Sequence, residues 1–325
     1  MERPRGSATD APVHYSVVVP VYKSQSTLKE LTLRLEELQA ELPAKLEVVF
    51  VSDGSPDDSA GLLRELLPDA SFTSRLIVLS RNYGAFAAIR SGLAAARGRY
   101  IAVMAADMQE PPALIKSFFE LLASGDFDVT VGRRTGRQDS FFNTLMSRVF
   151  WFWYRRLVMP EMPPGGVDIF GCTAEVRDSL ITLRESNSSL IGLLFWLGFR
   201  RAEVPYERLA RTSGKSTWTF GRKLRYLLDS AFSFTHRPIT LLTGLGVVGL
   251  VGSVVASIVV FTAWAAGDVS VPGYAPLMLT ILTFNSALLL GLGVVGSYVW
   301  RTYENTKLRP IYVPMFDEQF AGRAN

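Results

Sequence analysis

Between Val13 and Pro112, four short apolar runs alternate with stretches of helical spacing, and that alternation restricts the fold more than any other feature of the chain. Val13 to Val21 is β-branched and ends in Pro20-Val21-Tyr22, after which Leu28, Leu31, Leu35 and Leu38 share one face of a helix over Ser26 to Leu42. Leu46 to Val51 runs into Ser52-Asp53-Gly54-Ser55, and Asp57 and Asp58 precede a helical stretch from Ser59 to Leu67. Arg75 to Leu79 is followed by Ser80-Arg81-Asn82-Tyr83-Gly84 and the small-residue helix Ala85 to Ala96. The fourth run, from Tyr100, stops at Asp107, Gln109 and Glu110 before Pro111-Pro112. Strands alternating with helices predict an α/β fold with a parallel, Rossmann-like sheet. Ligands bind at the C-terminal edge of such sheets, the edge that carries Asp53 and Asp107. Carboxylate and amide oxygens at alternate positions, Asp107 and Gln109, suit a hard divalent cation such as Mg²⁺ or Mn²⁺. An isolated Asp there would read as the cap of a strand-to-helix loop; its neighbours shift the reading toward a ligand set.

The hydrophobic fraction of 48% and the mean hydropathy of +0.20 are high for a wholly soluble enzyme. The excess lies in two uncharged runs, Pro238 to Gly267 and Val269 to Trp300, separated by Asp268. Each exceeds the roughly 20 residues needed to cross a bilayer. Both contain GLGVVG, at Gly244 to Gly249 and Gly291 to Gly296. The pattern matches G-x-G-x-x-G, but an uncharged run with no strand-to-helix turn predicts close helix packing there, not a nucleotide site. Arg237 precedes the first run, and Arg301, Lys307 and Arg309 follow the second. The positive-inside rule then predicts a hairpin with both termini cytoplasmic. Met1 to Ala11 is charged and has no apolar stretch, which predicts no cleavable signal peptide. The single Cys172 excludes an intramolecular disulfide. The organisation expected is an α/β domain over 1–216, an amphipathic juxtamembrane helix over 217–236, a transmembrane hairpin over 237–301 and a cytoplasmic tail over 302–325.

The pI of about 9.2 would permit nucleic-acid binding, but the charge is placed differently. Between Arg200 and Arg225 stand eight Lys/Arg against Glu203 and Glu207, with no groove-reading motif. That patch fits anionic lipid headgroups or phosphorylated ligands better than nucleic acid. Within it, Arg208, Arg211 and Lys215 read either as a phosphate clamp on a flexible loop or as a membrane-surface patch. Trp218 to Phe234 is spaced as an amphipathic helix leading into the bilayer. Upstream, Arg133 and Arg134 come after an expected strand over Asp128 to Val131. Adjacent residues there point to opposite sides, so one of them faces a site, unless both are solvated loop residues. Ser140 to Arg156 interleaves aromatic residues with Arg148, Arg155 and Arg156, which suits either a core helix or one lying in the membrane interface. Asp168, in the glycine-flanked stretch Gly165 to Phe170, serves a ligand or caps a turn. A helix is expected over Ser186 to Phe199 and a short edge strand over Ala202 to Tyr206.

In this order and spacing, Pro20-Val21-Tyr22, Ser52 to Ser55, Ser80 to Gly84, Ala105 to Pro112 and Val131 to Arg134 resemble the family-2 glycosyltransferases of GT-A fold. Within them the chain is similar to the polyprenyl-phosphate glycosyltransferases: dolichyl-phosphate mannose synthases, bactoprenyl-phosphate glucosyltransferases and undecaprenyl-phosphate aminoarabinose transferases. The likeness extends through Pro205 to Trp218, the paired apolar runs and Arg301 to Tyr312. It implies that Pro20, Val21, Tyr22, Asp53, Ser80, Arg81 and Asp107 line the nucleotide site. Asp107 and Gln109 would bind the Mg²⁺ or Mn²⁺ that bridges the diphosphate. The family's Gly-x-Arg pattern favours Arg134 over Arg133 as the residue facing the site. Both stand with Arg208, Arg211 and Lys215 as candidates for the acceptor phosphate, and Asp168 would face the acceptor. Two positions depart from the family: Ala105 replaces the first aspartate of Asp-Ala-Asp-Leu-Gln, and Ser52 stands where another Asp is frequent. A site lacking that carboxylate binds metal more weakly or leans on the diphosphate and water.

The resemblance implies a membrane-anchored, inverting transfer of a hexose to a polyprenyl phosphate such as undecaprenyl phosphate, on the cytoplasmic face of the inner membrane. UDP-glucose is the first expected donor, with GDP-mannose and an aminoarabinose nucleotide behind it. The partners expected are that nucleotide sugar, the lipid acceptor and membrane lipids, with no nucleic acid and with a homo-oligomer left open. A catalytically inactive scaffold of the same fold is the alternative that Ala105 raises. A processive polysaccharide synthase is disfavoured, because two spans offer no polymer channel and Gln-x-x-Arg-Trp is absent.

Overall fold

A computed structural model describes residues 14–135, 151–163 except 153 and 157, 166–185, 188–207, scattered positions over 230–266, and 273–323. Strands β1 (Tyr15–Val21), β2 (Leu46–Ser52), β3 (Thr73–Leu79) and β4 (Tyr100–Val103) pair in parallel in the order β4-β1-β2-β3. β1 and β2 are buried on both faces almost throughout, as strands covered by helices on either side must be. Those helices are α1 (Leu28–Glu41), α2 (Ser59–Leu66), α3 (Ala85–Ala95) and α4 (Pro112–Ala123). α1 buries Leu28, Leu31, Leu35 and Leu38, the face its spacing predicts. The small residues of α3 let it approach the sheet closely: a Cβ on Gly92 would lie 2.3 Å from Val18 Cγ1. α4 opens on Pro112, where a missing N–H removes no helical hydrogen bond, and buries Leu114, Ile115, Phe118, Phe119 and Leu122.

Beyond β4 the sheet continues through β5 (Val129–Arg134), β6 (Phe170–Thr173) and β7 (Arg201–Tyr206). β6 runs antiparallel to both β4 and β5, and β7 is the edge strand, parallel to β5. Helices α5 (Ala174–Thr182) and α6 (Leu190–Trp196) lie between β6 and β7 in the chain. At the other edge β8 (Pro314–Phe320) runs antiparallel to β3, giving the order β7-β5-β6-β4-β1-β2-β3-β8. Cys172, on β6, is buried, and burial pushes its thiol up to about 12, which leaves it inert.

Three expectations change. β5 does not stop at Val131 but runs through Arg133 and Arg134, because β7 pairs along it as far as Arg134 and Tyr206. α6 is shorter than Ser186 to Phe199: Ser189 caps it, accepting the Gly192 N–H at 3.2 Å, and Gly198 at φ 75° follows its end. Residues 314–320, expected in a tail, form β8. There Asp317 accepts two hydrogen bonds from Arg75, at 2.7 and 2.6 Å, and Glu318 accepts from Arg64 at 2.7 to 3.0 Å.

The chain divides into two compact units: the sheet domain, and a unit whose main part, 224–308, is inserted in sequence between β7 and β8 and which also takes in 185–188. In the second unit α7 (Tyr274–Thr306) is one continuous helix of 33 residues. Leu277, Ile281, Phe284, Leu288, Leu292 and Val295 on it are exposed. Near its end Lys307 Nζ lies 4.2 Å from the Tyr303 ring and 5.3 Å from that of Trp300. In the two GLGVVG segments a Cβ on Gly291 would lie 3.5 Å from Leu242 and one on Gly249 3.7 Å from Phe284, ordinary contact distances, and one on Gly244, Gly246, Gly293 or Gly296 would meet nothing within 4 Å, so the close packing expected there is not seen among the described residues. Among the described residues, no helix is long and apolar enough to cross a membrane; several side chains of α7 lie outside that set. The expected helix over Trp218 to Phe234 lies outside the described residues apart from Ser230. Of Ser140 to Arg156 the described positions after 150 are helical, with Phe152 exposed and Tyr154 buried.

Candidate active site

Because β1 to β4 run the same way, their C-terminal ends bring Pro20 to Tyr22, Asp53, Ser80 to Gly84 and Asp107 to one edge of the sheet. Val21 is fully buried, and its carbonyl accepts the Asp53 N–H at 3.0 Å, while Tyr22 is exposed. The next turns are stitched together. The Lys23 N–H donates to Ser55 Oγ at 2.8 Å, the Ser55 hydroxyl donates to Asp57, and Asp57 accepts the Gln25 N–H at 3.2 Å. Burial pushes the Asp57 carboxyl up, but the Ser55 and Ser59 hydroxyls and two backbone N–H groups together hold it below its ordinary value.

Asp53 is buried, and its two oxygens accept the N–H groups of Tyr83 and Gly84 at 2.7 and 2.8 Å. It therefore shapes the Ser80 to Gly84 loop from the neighbouring strand, a role its sequence position alone did not reveal. Gly54 takes φ 56°, and a Cβ there would lie 2.4 Å from the Arg81 carbonyl carbon, so the approach of the two loops requires glycine. On the loop the Arg81 guanidinium sits 4.1 Å from the Tyr83 ring centre, and Ser80 Oγ lies 3.1 Å from the Tyr83 hydroxyl.

Between Asp107 and Gln109, Met108 adopts φ 60°, uncommon for a side chain of its size, and is buried in the core cluster. The Thr27 hydroxyl donates to the Ala106 carbonyl at 2.7 Å, tying this loop to the start of α1. Gln109 and Glu110 are buried; Ala105 and Asp107 are half-buried. As a donor set, Asp107 and Gln109 offer one carboxylate and one amide oxygen. No group of three or more His, Cys, Asp or Glu side chains suited to a metal occurs among the described residues. That set fits Mg²⁺, which is held by one or two carboxylates and otherwise by water and substrate phosphates.

Across β4 and β6, Arg133 and Arg134 diverge as adjacent strand residues should. Arg133 Nε lies 3.1 Å from Glu203, and Arg134 forms an ion pair with Asp168. The β5–β6 pairing creates the second contact, since the Gly132 N–H donates to the Ile169 carbonyl at 3.1 Å just beside Asp168. Arg208, Arg211 and Lys215 lie outside the described residues.

Residues 16–183 match the family model Glycosyl transferase family 2. The chain is 32% identical over 307 residues to the undecaprenyl-phosphate 4-deoxy-4-formamido-L-arabinose transferase of Salmonella choleraesuis, covering 91% of each protein. The chain is a family 2 glycosyltransferase. The glycosyltransferase is also 30% identical over 305 residues to the uncharacterized glycosyltransferase sll0501 of Synechocystis, covering 93% of this chain and 94% of that one. Among solved structures it is similar to the mannosyltransferase PcManGT from Pyrobaculum calidifontis in complex with GDP-Man and Mn²⁺. That match has 18% identity and a TM-score of 0.45, covering 90% of this chain and 86% of the other. The glycosyltransferase's α/β, mostly parallel sheet is the GT-A-like architecture the resemblance implied.

Proposed function

We propose that the glycosyltransferase moves a sugar from a nucleotide sugar to a polyprenyl phosphate at a membrane surface. The observation that carries this reading is the near full-length similarity to the Salmonella undecaprenyl-phosphate transferase. A hexose is the sugar class, with UDP-glucose the first donor and GDP-mannose or an aminoarabinose nucleotide the alternatives. A phosphate monoester is already anionic near neutral pH, so its attack on the anomeric carbon needs orientation more than deprotonation. Arg134 supplies a cation for that purpose, with its guanidinium oriented by Asp168. Arg133, Arg208, Arg211 and Lys215 add positive charge for the acceptor phosphate. The phosphate oxygen displaces the nucleoside diphosphate from the opposite face, which inverts the anomeric centre. Asp107 and Gln109 would hold a divalent cation, which when bound offsets charge developing on the leaving diphosphate. Pro20 and Tyr22 with Ser80 and Arg81 line the donor side, the fully buried Val21 supports them from the end of β1, and Asp53 holds their loops in place.

The membrane part of the proposal rests on α7 and on the sequence around it. A helix of 33 residues is about 50 Å long, against a hydrocarbon core of roughly 30 Å. Tyr274 to Trp300 contains no charged residue. The Trp300, Tyr303 and Lys307 cluster suits a helix end at the headgroups. With Pro238 to Gly267 as the second span, the catalytic domain and both termini would be cytoplasmic, and only the Asp268 loop would cross.

Ala105 gives a second reading some weight: a fold that has lost metal-dependent turnover and serves as a scaffold. Calorimetric titration of UDP and GDP into the purified protein, with and without Mn²⁺, separates the two. The transferase reading expects one nucleotide to bind, metal to strengthen it, and Asp107→Asn to erase that metal effect without unfolding the protein. No binding of either nucleotide under any condition would leave the scaffold.

A further inference from the structure

The Ser80 to Gly84 loop is exposed at Ser80, Arg81 and Asn82, yet it is held from two sides. On one side Asp53 takes the Tyr83 and Gly84 N–H groups, and the Asn82 amide donates to the Asp53 carbonyl at 3.3 Å. On the other, the Ser80 N–H donates to the Val313 carbonyl at 3.0 Å. Val313 immediately precedes β8, and the β3–β8 register shifts at Val78 and Leu79, directly before Ser80. β8 itself is fastened by the paired contacts of Arg75 to Asp317 and of Arg64 to Glu318. Phe316 lies under the Arg64 guanidinium at 5.6 Å. Arg323, beyond β8, adds an ion pair to Asp69 at 2.9 Å. A segment separated from Ser80 by more than two hundred residues therefore sets one end of the loop that the donor site uses.

The geometry points to β8 and Val313 as a positioning element of the donor site: docking of the returning strand on β3 fixes the Ser80 to Gly84 loop in its nucleotide-binding shape. This rests on the donor assignment proposed above and adds a residue set that lies outside the family 2 match over 16–183. The strand that follows the inserted unit 224–308 thereby joins that unit, through the chain, to the donor edge. Coupling of this kind is reciprocal: if a docked β8 favours nucleotide, bound nucleotide must favour a docked β8.

The test is hydrogen exchange of the full-length protein in detergent, read by mass spectrometry, with and without saturating UDP or GDP and Mn²⁺. The inference expects the nucleotide that protects the loops 52–55 and 80–84 to slow exchange across 309–320 as well. Protection of both loops with unchanged exchange over 309–320 overturns it while leaving the transferase reading intact. If neither nucleotide protects 52–55, the donor assignment itself falls, and this inference with it. A charge reversal gives the kinetic counterpart. Asp317→Arg should raise the donor KM on the order of tenfold, within the usual range of coupling between sites, with the KM for undecaprenyl phosphate unchanged. Pairing it with Arg75→Asp should restore the donor KM. An equal rise in both KM values, or no rise at all, contradicts a donor-side role.

Discussion

Asp53 and Asp107 occupy equivalent places at strand ends, and the work proposed for them differs. Both oxygens of Asp53 are engaged by backbone N–H groups, so Asp53→Ala should strand two donors and cost about 1–3 kcal/mol. Thermal melting should fall and the donor KM should rise, with the acceptor KM unchanged; an unaltered donor KM would detach the loop from the nucleotide. In the proposed metal site, Asp107 would stand in a donor set short of one carboxylate, since Ala105 replaces the aspartate that the resemblance leads one to expect. Ala105→Asp should lower the Mn²⁺ concentration needed for half-maximal nucleotide binding, and an unchanged titration would put position 105 outside the coordination shell. The place of Asp107 was legible because a strand end, an amide two residues on and a Pro-Pro turn lie together in the chain. The role of Asp53 was not, because its partners are backbone groups 30 positions away, which no local pattern encodes. The Arg134 contact with Asp168 was hidden for the same reason, as it exists only once β6 returns beside β5.

At the scale of elements, the parallel strands and their helices were readable because each is a run of one period bounded by turn residues. β8 was not: Pro-Met-Phe-Asp-Glu-Gln-Phe shows neither strict alternation nor a β-branched run, and its place depends on charge pairing with β3 and α2. That origin makes the edges acid-sensitive. Hydrogen bonds from Arg200 hold Asp128 below its ordinary range, and those from Arg64 do the same for Glu318. Opposed by burial, the Ser55 and Ser59 hydroxyls still lower Asp57. A carboxyl lowered in the folded state stabilises above its unfolded pKa of about 4, and that contribution disappears as pH falls through the folded value. The melting temperature should therefore stay flat between about pH 7 and pH 5 and drop below about pH 4. Asp128→Asn should melt lower at neutral pH and lose less on acidification than the wild type; parallel curves for the two would remove Asp128 from the account.

For the whole molecule, the proposed hairpin of the inserted unit would decide where the chemistry happens. A sheet domain rich in charge cannot sit in lipid, and the basic residues cluster at the outer ends of the two apolar runs. In a Cys172→Ser background, Ser270→Cys should react with an impermeant thiol reagent added outside spheroplasts, and Ala324→Cys only after lysis. The reverse pattern would overturn the hairpin and the cytoplasmic assignment. The apolar runs were legible from hydropathy alone, whereas the return of the chain to the sheet after them was not. The transfer itself is tested by incubating purified wild-type protein with undecaprenyl phosphate, Mn²⁺ and UDP-glucose, GDP-mannose or an aminoarabinose nucleotide, and measuring the mass of the extracted lipid by mass spectrometry. The expected product is an undecaprenyl phosphate carrying one sugar from one of these donors, absent with Asp107→Asn. Unmodified lipid with every donor, from a protein that binds nucleotide, would contradict the proposed transfer.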